Sequence, residues 1–444
     1  MRCRDGPVRA GRAATACVAW SDPGFVGQQE SLPGTFYNRS VRTIELPLPA
    51  PEALAASDRL ARRIAQRVAD AGGWIGFDAW MGMALYEPGL GYYSGGARKF
   101  GAAGDFVTAP EISPLFGGCV ASQCAQWFEH APACIHEFGA GSGALAADVL
   151  LELERLGRPA DQYLIVELSG ELRERQRATL AERAPGLLDR VRWLDAWPER
   201  MSGVILANEL LDAMPARAFR LREGRVFERG VALASMPDTA DPSGTPRFAW
   251  SDRPADAGFE ACVRELLAEP IAQAGDLWPD DYAGEVGEQA VAWVREAGRR
   301  LDTGAMLLVD YGFPAREFFH PQRSLGTLMC HYRHHAHGDP FMLPGLQDIT
   351  VHVDFSAVAR GAGEVGLDLL GYTSQARFLL SLGLLERVSR TPVEAGLEYV
   401  KQAQAVQSLV SEAEMGELFK AIAFGRGLPA DALGFLRSDR SGAL

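Results

Sequence analysis

The chain has 444 residues, 47% of them hydrophobic, enough to bury a core larger than that of one average domain. Its net charge of −13 argues against non-specific nucleic-acid binding, which needs a basic surface, and suits a soluble protein or one with a cationic partner. No apolar run reaches the roughly eighteen residues of a membrane span, so no membrane insertion is predicted. Cysteines 3, 17, 119, 124, 134, 262 and 330 form no CxxC pair and no zinc spacing, which points to a reducing compartment. The basic residues are almost all arginine, lysine occurring only at Lys99, Lys401 and Lys420, and with abundant Ala and Gly this suggests bacterial coding and a cytoplasmic protein.

Residues 1–45 lack apolar periodicity and read as a disordered leader. A helical and loop segment is expected over 46–130: a helix at 51–71 with Leu54, Leu60, Ile64 and Val68 on one stripe, another at 77–85, a glycine-rich loop or hairpin at 89–104, and a helix at 114–128. Strand and helix then alternate. Strands are predicted at 134–138, 163–168, 191–194, 203–207 and 306–309, with helices through 156, at 171–183 and at 290–301, the pattern of parallel pairing with right-handed crossovers. The stretch 230–280, with Pro237, Pro242, Pro246 and Pro254, reads as an irregular insertion in a domain spanning 131–390. The remainder, 391–444, is expected to be helical, as are 376–385 and 398–410.

The central motif is Glu137-Phe138-Gly139-Ala140-Gly141-Ser142-Gly143, directly after one strand and directly before a helix. Glycines there let the backbone turn tightly and approach a ligand, while helix N–H groups face it. A short glycine turn alone is also an ordinary strand-to-helix connection. The GxGxG spacing and the acid two positions before Gly139 favour a methyltransferase over a dinucleotide-binding dehydrogenase, which would show GxGxxG. Glu167 ends the second strand, where a carboxylate can accept from two ribose hydroxyls. Asp195 follows the third strand at the place of an adenine contact, although a solvated loop explains it equally well. Asn208-Glu209-Leu210-Leu211-Asp212 follows the fourth, on the carboxyl edge where open α/β sheets bind ligands.

Further segments make the chain resemble the MidA-like family of class I methyltransferases. They are Tyr86-Glu87-Pro88-Gly89-Leu90-Gly91-Tyr92-Tyr93, Gly104-Asp105-Phe106-Val107-Thr108-Ala109-Pro110-Glu111-Ile112-Ser113, Val166-Glu167-Leu168-Ser169, Ala207-Asn208-Glu209-Leu210-Leu211-Asp212-Ala213-Met214-Pro215, Asp310-Tyr311-Gly312 and Gln347-Asp348-Ile349-Thr350-Val351-His352-Val353-Asp354-Phe355. The resemblance runs in order through roughly residues 50–440. It implies an α/β fold with a Rossmann-like seven-stranded sheet, an N-terminal helical segment, an insertion and a C-terminal helical part. It also implies S-adenosyl-L-methionine as methyl donor. The family's mitochondrial member is a complex I assembly factor that methylates arginine, so the resemblance implies a protein substrate carrying an arginine, with respiratory NADH dehydrogenase subunits as first candidates.

Gly139, Gly141, Gly143, Glu167, Asp195 and Asn208 are the expected cofactor contacts. Arginine is a poor nucleophile with a pKa above about 12, so carboxylates should grip its guanidinium in a fork and aim one nitrogen at the methyl. Glu209 and Asp212, beside Asn208, are the catalytic candidates, with Glu111 and His352 as substrate contacts. No metal is expected: the cluster His331, His334, His335 and His337 surrounds Arg333, and this chemistry needs no ion. Two rival readings are a nicotinamide-dependent oxidoreductase and a non-catalytic assembly chaperone that keeps the fold.

Overall fold

Short apolar runs, several of them followed by a helix, fold here into a mostly parallel sheet covered on both faces. The structure is a computed structural model that describes residues 47–95, 107–234, 244–390 and 392–444. The leader read over 1–45, the far part of the glycine-rich loop, and Pro237 and Pro242 lie outside the described residues.

Pro51 opens α1 (Pro51–Asp70), in the first turn where a missing N–H costs nothing. Leu60, Ala61, Ile64 and Val68 form its buried stripe. After α2 (Phe77–Tyr86) comes α3 (Pro114–Trp127), capped by Ser113, whose hydroxyl accepts from the Leu115 N–H. The alternating part follows: β1 (Cys134–Phe138), α4 (Ala144–Arg155), β2 (Gln162–Val166), α5 (Gly170–Arg183), β3 (Val191–Leu194) and β4 (Met201–Asn208). Beyond an insertion containing α6 (Ala257–Ala274) the chain resumes with α7 (Glu288–Arg300), β5 (Leu301–Phe313), α8 (Phe355–Glu364), β6 (Asp368–Ser374), α9 (Leu397–Val410) and β7 (Phe419–Arg426).

The strands lie in the order β6-β7-β5-β4-β1-β2-β3, with β5 through β3 parallel and β7 antiparallel to both neighbours. A two-residue strand, Val353–Asp354, continues the sheet beside the end of β5. Ile135, Val204, Leu206 and Leu307 pack one face against α3 and α4. Ile205, Met306 and Leu308 pack the other against α7 and α8. The order reverses between β1 and β4, and there the carboxyl ends of adjacent strands diverge to leave a crevice.

Two regions correct the sequence reading. The C-terminal part contains α9, but Phe419–Arg426 is a strand in the interior of the sheet, not a helix. Both its faces are covered, so Ala421–Phe424 is a continuous apolar run, which periodicity alone cannot assign. The insertion is also more ordered than its prolines suggest. Arg217–Arg222, Arg225–Leu233, Phe248–Pro254 and Asp281–Val286 join Ile75–Gly76 in a five-stranded antiparallel sheet. α1 and α2 cover one face through Leu60, Phe77 and Trp80, and α6 covers the other through Phe259, Val263 and Leu267.

Candidate active site

Three turns at the carboxyl ends of β1, β2 and β4 converge over the reversal point. With the end of α2 and residues near Glu111 they wall a cavity of about 760 Å³, within the range of small-molecule sites.

The first turn is Gly139-Ala140-Gly141-Ser142-Gly143. Gly139 and Gly141 adopt left-handed φ values of 72° and 52°, and a Cβ on Gly139 would come within 3.0 Å of Leu210 Cδ1. This backbone is pressed against the fourth-strand turn, leaving its outer side to the cavity. The second turn presents Glu167, whose Oε1 accepts from the Ser169 N–H at 2.8 Å and whose Oε2 accepts from Gln176 at 3.2 Å. Gln176, on α5, is completely buried and also donates to Gly141 O at 3.2 Å while accepting from Trp193 Nε1 at 2.8 Å. One amide thus ties the glycine turn to the carboxylate that faces the ribose position. Gln176→Leu is expected to raise KM for the methyl donor about tenfold with kcat changed less than about twofold, as befits lost positioning of a binding group; initial rates at varied donor concentration measure the split.

Phe138, Trp197 and Trp293 meet at centroid distances of 4.6–5.5 Å and supply the apolar end of the cavity. Glu137 lines it from below, accepting from the Tyr163 hydroxyl at 2.9 Å, and burial pushes its carboxyl up to about 7. Asn208 Oδ1 is buried with no hydrogen-bond partner among the described residues. An adenosine with a zwitterionic amino-acid arm fits these features: aromatic rings for the base, Glu167 for the ribose hydroxyls, and Glu137 with Asn208 Oδ1 for an ammonium.

The third turn holds Glu209 at φ 51°, strained for a residue with a side chain. Its Oε1 accepts from the Ala109 N–H at 3.3 Å and from Asn208 Nδ2 at 3.1 Å. Removal from bulk water, with the nearby Asp212 charge second, pushes the Glu209 carboxyl up to about 8. The strained turn is held from below by Asp310, whose Oδ2 accepts from the N–H groups of Leu210 (3.2 Å), Leu211 (2.8 Å) and Asp212 (3.4 Å). Burial, and then the neighbouring Asp212, raise the Asp310 carboxyl well above the usual range. Tyr86 and Tyr93 stack at 5.5 Å along the cavity wall, with the Tyr93 hydroxyl donating to Asp348 at 3.0 Å. Glu111 reaches the glycine turn by accepting from the Ser142 hydroxyl.

Gly139, Gly141, Glu167, Asn208, Glu209 and Glu111 therefore share one cavity. Four predicted residues do not line it. Gly143 sits behind it at φ 86° as the cap of α4, where a Cβ would press on Gln176 at 3.1 Å. Asp195 is 90% exposed and pairs with Arg173 at 2.6 Å; Trp197, two residues on, takes the place beside the cavity. Asp212 turns into the protein, where the Tyr311 hydroxyl donates to it and burial raises its carboxyl. His352 faces a second cavity and is held neutral, its imidazolium form disfavoured by burial and then by Arg323 and Lys420. The His331, His334, His335 and His337 run forms a hairpin that contributes nothing to the cavity lining. Conversely, Trp197, Trp293, Ser142, Gln176 and the two tyrosines escaped the reading of individual residues. An aromatic just after the third strand and the Tyr86–Tyr93 motif were the available signals for three of them; Gln176, in a helix of alternating charges, carried none.

A sheet of this order with an antiparallel seventh strand, a glycine turn after β1 and a carboxylate after β2 defines a class I S-adenosylmethionine-dependent methyltransferase. Residues 119–373 match the family model described as "Putative S-adenosyl-L-methionine-dependent methyltransferase", and the chain belongs to that family. A Burkholderia thailandensis protein, in a crystal structure bound to S-adenosyl-homocysteine, is similar at 49% identity with a TM-score of 0.84, covering 90% of this chain and 100% of that one. The chain is 30% identical over 371 residues to the Mus musculus "Protein arginine methyltransferase NDUFAF7, mitochondrial", covering 77% of this chain and 78% of the relative. The Danio rerio protein of the same name is 27% identical over 376 residues, 78% of this chain and 82% of its own length. S-adenosyl-L-methionine is the cofactor, and the protein is a methyltransferase.

Proposed function

We propose that the protein methylates a guanidinium nitrogen of an arginine on a protein substrate, as the names of its mitochondrial relatives say of them. The observation that carries this reading is Glu209, a carboxylate held in a strained backbone at the cavity wall beside the glycine turn. A carboxylate there can pair with a guanidinium, and charge-assisted pairing would fix which nitrogen faces the donor. S-adenosylmethionine supplies an electrophilic methyl on sulfur. The protein's part is alignment, which can contribute roughly 7–11 kcal/mol, and removal of the proton the nitrogen must lose. A Glu209 carboxyl pushed up to about 8 is matched to accepting that proton near neutral pH.

Glu209 must be ionised to grip the cation, and in the free enzyme it is protonated below about 8. kcat/KM should therefore rise about tenfold per pH unit up to that point and then level off. A bound guanidinium favours the carboxylate, so the kcat profile should inflect at lower pH than the kcat/KM profile. Steady-state rates from pH 6 to 10 check both.

The direct test is transfer of labelled methyl groups by the purified protein into an extract of cells lacking it, followed by acid hydrolysis and amino-acid analysis. Label should elute as methylarginine, with respiratory NADH dehydrogenase subunits the first proteins to isolate. Label in methyl-lysine, or released by base as from a methyl ester, would overturn the arginine reading.

A further inference from the structure

On the other side of the Leu210–Met214 turn lies a second cavity of about 550 Å³. Leu210 and Ala213 face the methyl-transfer cavity, whereas Leu211 and Met214 face this one, so a single turn of chain is the wall between them. Leu266, Val286 and Val358 complete an apolar floor, and among the described residues the charge above it is one-sided: five carboxylates against two guanidiniums. Arg295 is already held by Glu364 at 2.6 Å, and Arg360 stands near Asp354, whose carboxyl burial raises to about 6 against the pull of that guanidinium. Glu265, Glu285 and Glu288 are left in surplus. Glu285 is 5% exposed, accepts from the Thr327 N–H and hydroxyl, and has its carboxyl pushed up by burial. Glu288 lies 3.8 Å from Arg217, but that guanidinium is already forked onto Glu228. A depression with an apolar floor and a surplus of carboxylates is poorly suited to an anion or a neutral lipid chain and well suited to alternating basic and apolar side chains.

We infer that this second cavity docks a segment of the protein substrate, rich in basic residues interleaved with apolar ones, close in sequence to the arginine that enters the first. The inference rests on the reading of a protein substrate. Extended chain advances about 3.3 Å per residue, so a peptide crossing one turn of backbone can reach both cavities within a handful of residues. Docking here places binding energy at a distance from the reacting nitrogen, where it selects the substrate. It also gives the acidic chain a defined place to engage a cationic partner.

The test uses the full chain saturated with S-adenosylhomocysteine and three labelled peptides: Gly-Arg-Gly, an extension of it to about twelve residues with alternating Lys and Leu, and the same extension with Glu for Lys. By fluorescence anisotropy the Lys-Leu peptide should bind at least about tenfold more tightly than the other two. The Glu265→Lys, Glu288→Gln double variant should remove that advantage without changing affinity for S-adenosylhomocysteine; Glu265 and Glu288 are exposed, so folding is undisturbed. Equal binding of the Lys and Glu peptides, or a double variant that binds as the parent does, would overturn the docking site. Methylation of the peptides is read separately. Charge-sensitive binding with no methyl on the arginine would sustain docking and defeat the arginine reading, while methylation indifferent to the double variant would do the reverse.

Discussion

Glu209→Gln should lower kcat/KM for methyl transfer by about a thousandfold, some 4 kcal/mol, while leaving affinity for S-adenosylhomocysteine within about twofold. The amide has the size of the carboxyl and can still accept from the Ala109 N–H and Asn208 Nδ2, so the turn keeps its shape. What it lacks is the charge that holds a guanidinium and the basicity that takes its proton, and both act only on the substrate side of the cavity. Calorimetric titration and single-turnover rates on the same preparation separate the two effects. If the variant kept a tenth or more of the rate, Glu209 would not be the clamp. Asp212→Asn provides the contrast, because Asp212 faces Tyr311 and the interior rather than the cavity, and a smaller rate loss is expected there.

The second large effect is expected at Asp310. Its Oδ2 accepts from three successive N–H groups of the turn carrying Glu209, and its Oδ1 accepts from the Tyr311 N–H at 2.9 Å. Asp310→Ala leaves these buried donors unmet, at about 1–3 kcal/mol for each group left unsatisfied and a total of about 3–5 kcal/mol after relaxation. It also frees Glu209 to leave its unfavourable φ, so activity should fall about a hundredfold or more even where the protein is fully folded. Asp310→Asn keeps one acceptor oxygen but turns its NH2 toward the Tyr311 N–H, so it should recover part of the stability and less of the activity. Denaturant midpoints at constant slope read the first effect and rates at low temperature the second. An Asp310→Ala protein with parental rates would show that the turn needs no support from below.

What could be read in the sequence was what a ligand demands locally. Glycines at 139 and 141 are needed because the chain turns left-handed at both, at Gly139 against Leu210, and that requirement is visible in the residue types themselves. Glu167 and Asn208-Glu209 are fixed by their place at strand ends, and strand ends follow from apolar runs. Orientation was not legible. Glu209 and Asp212 stand three residues apart in one turn, and nothing in their order says that the first faces the cavity and the second faces Tyr311. Asp195 and Trp197 differ in the same way, one paired with Arg173 in solvent and the other packed on Phe138. Gln176 is polar in a polar helix, and its burial exists only once Trp193 and Gly141 fold over it. The insertion sheet was hidden because its strands mix apolar and charged side chains on both faces: in Arg217–Arg222, Ala218 packs beneath α1 and α2 beside Arg220, while Phe219 packs beneath α6 beside Arg217. With charge on both faces there is no alternation to detect.

The claim beneath all of this is that donor and guanidinium occupy one cavity, with Glu167 at one end and Glu209 at the other. Calorimetric titration of a compound in which a guanidine is tethered to the 5′ carbon of adenosine tests it in one measurement. The tethered compound should bind at least about tenfold more tightly than adenosine alone, and Glu209→Gln should erase that gain. Affinity no better than that of adenosine, or a gain that survives in Glu209→Gln, would place the acceptor elsewhere.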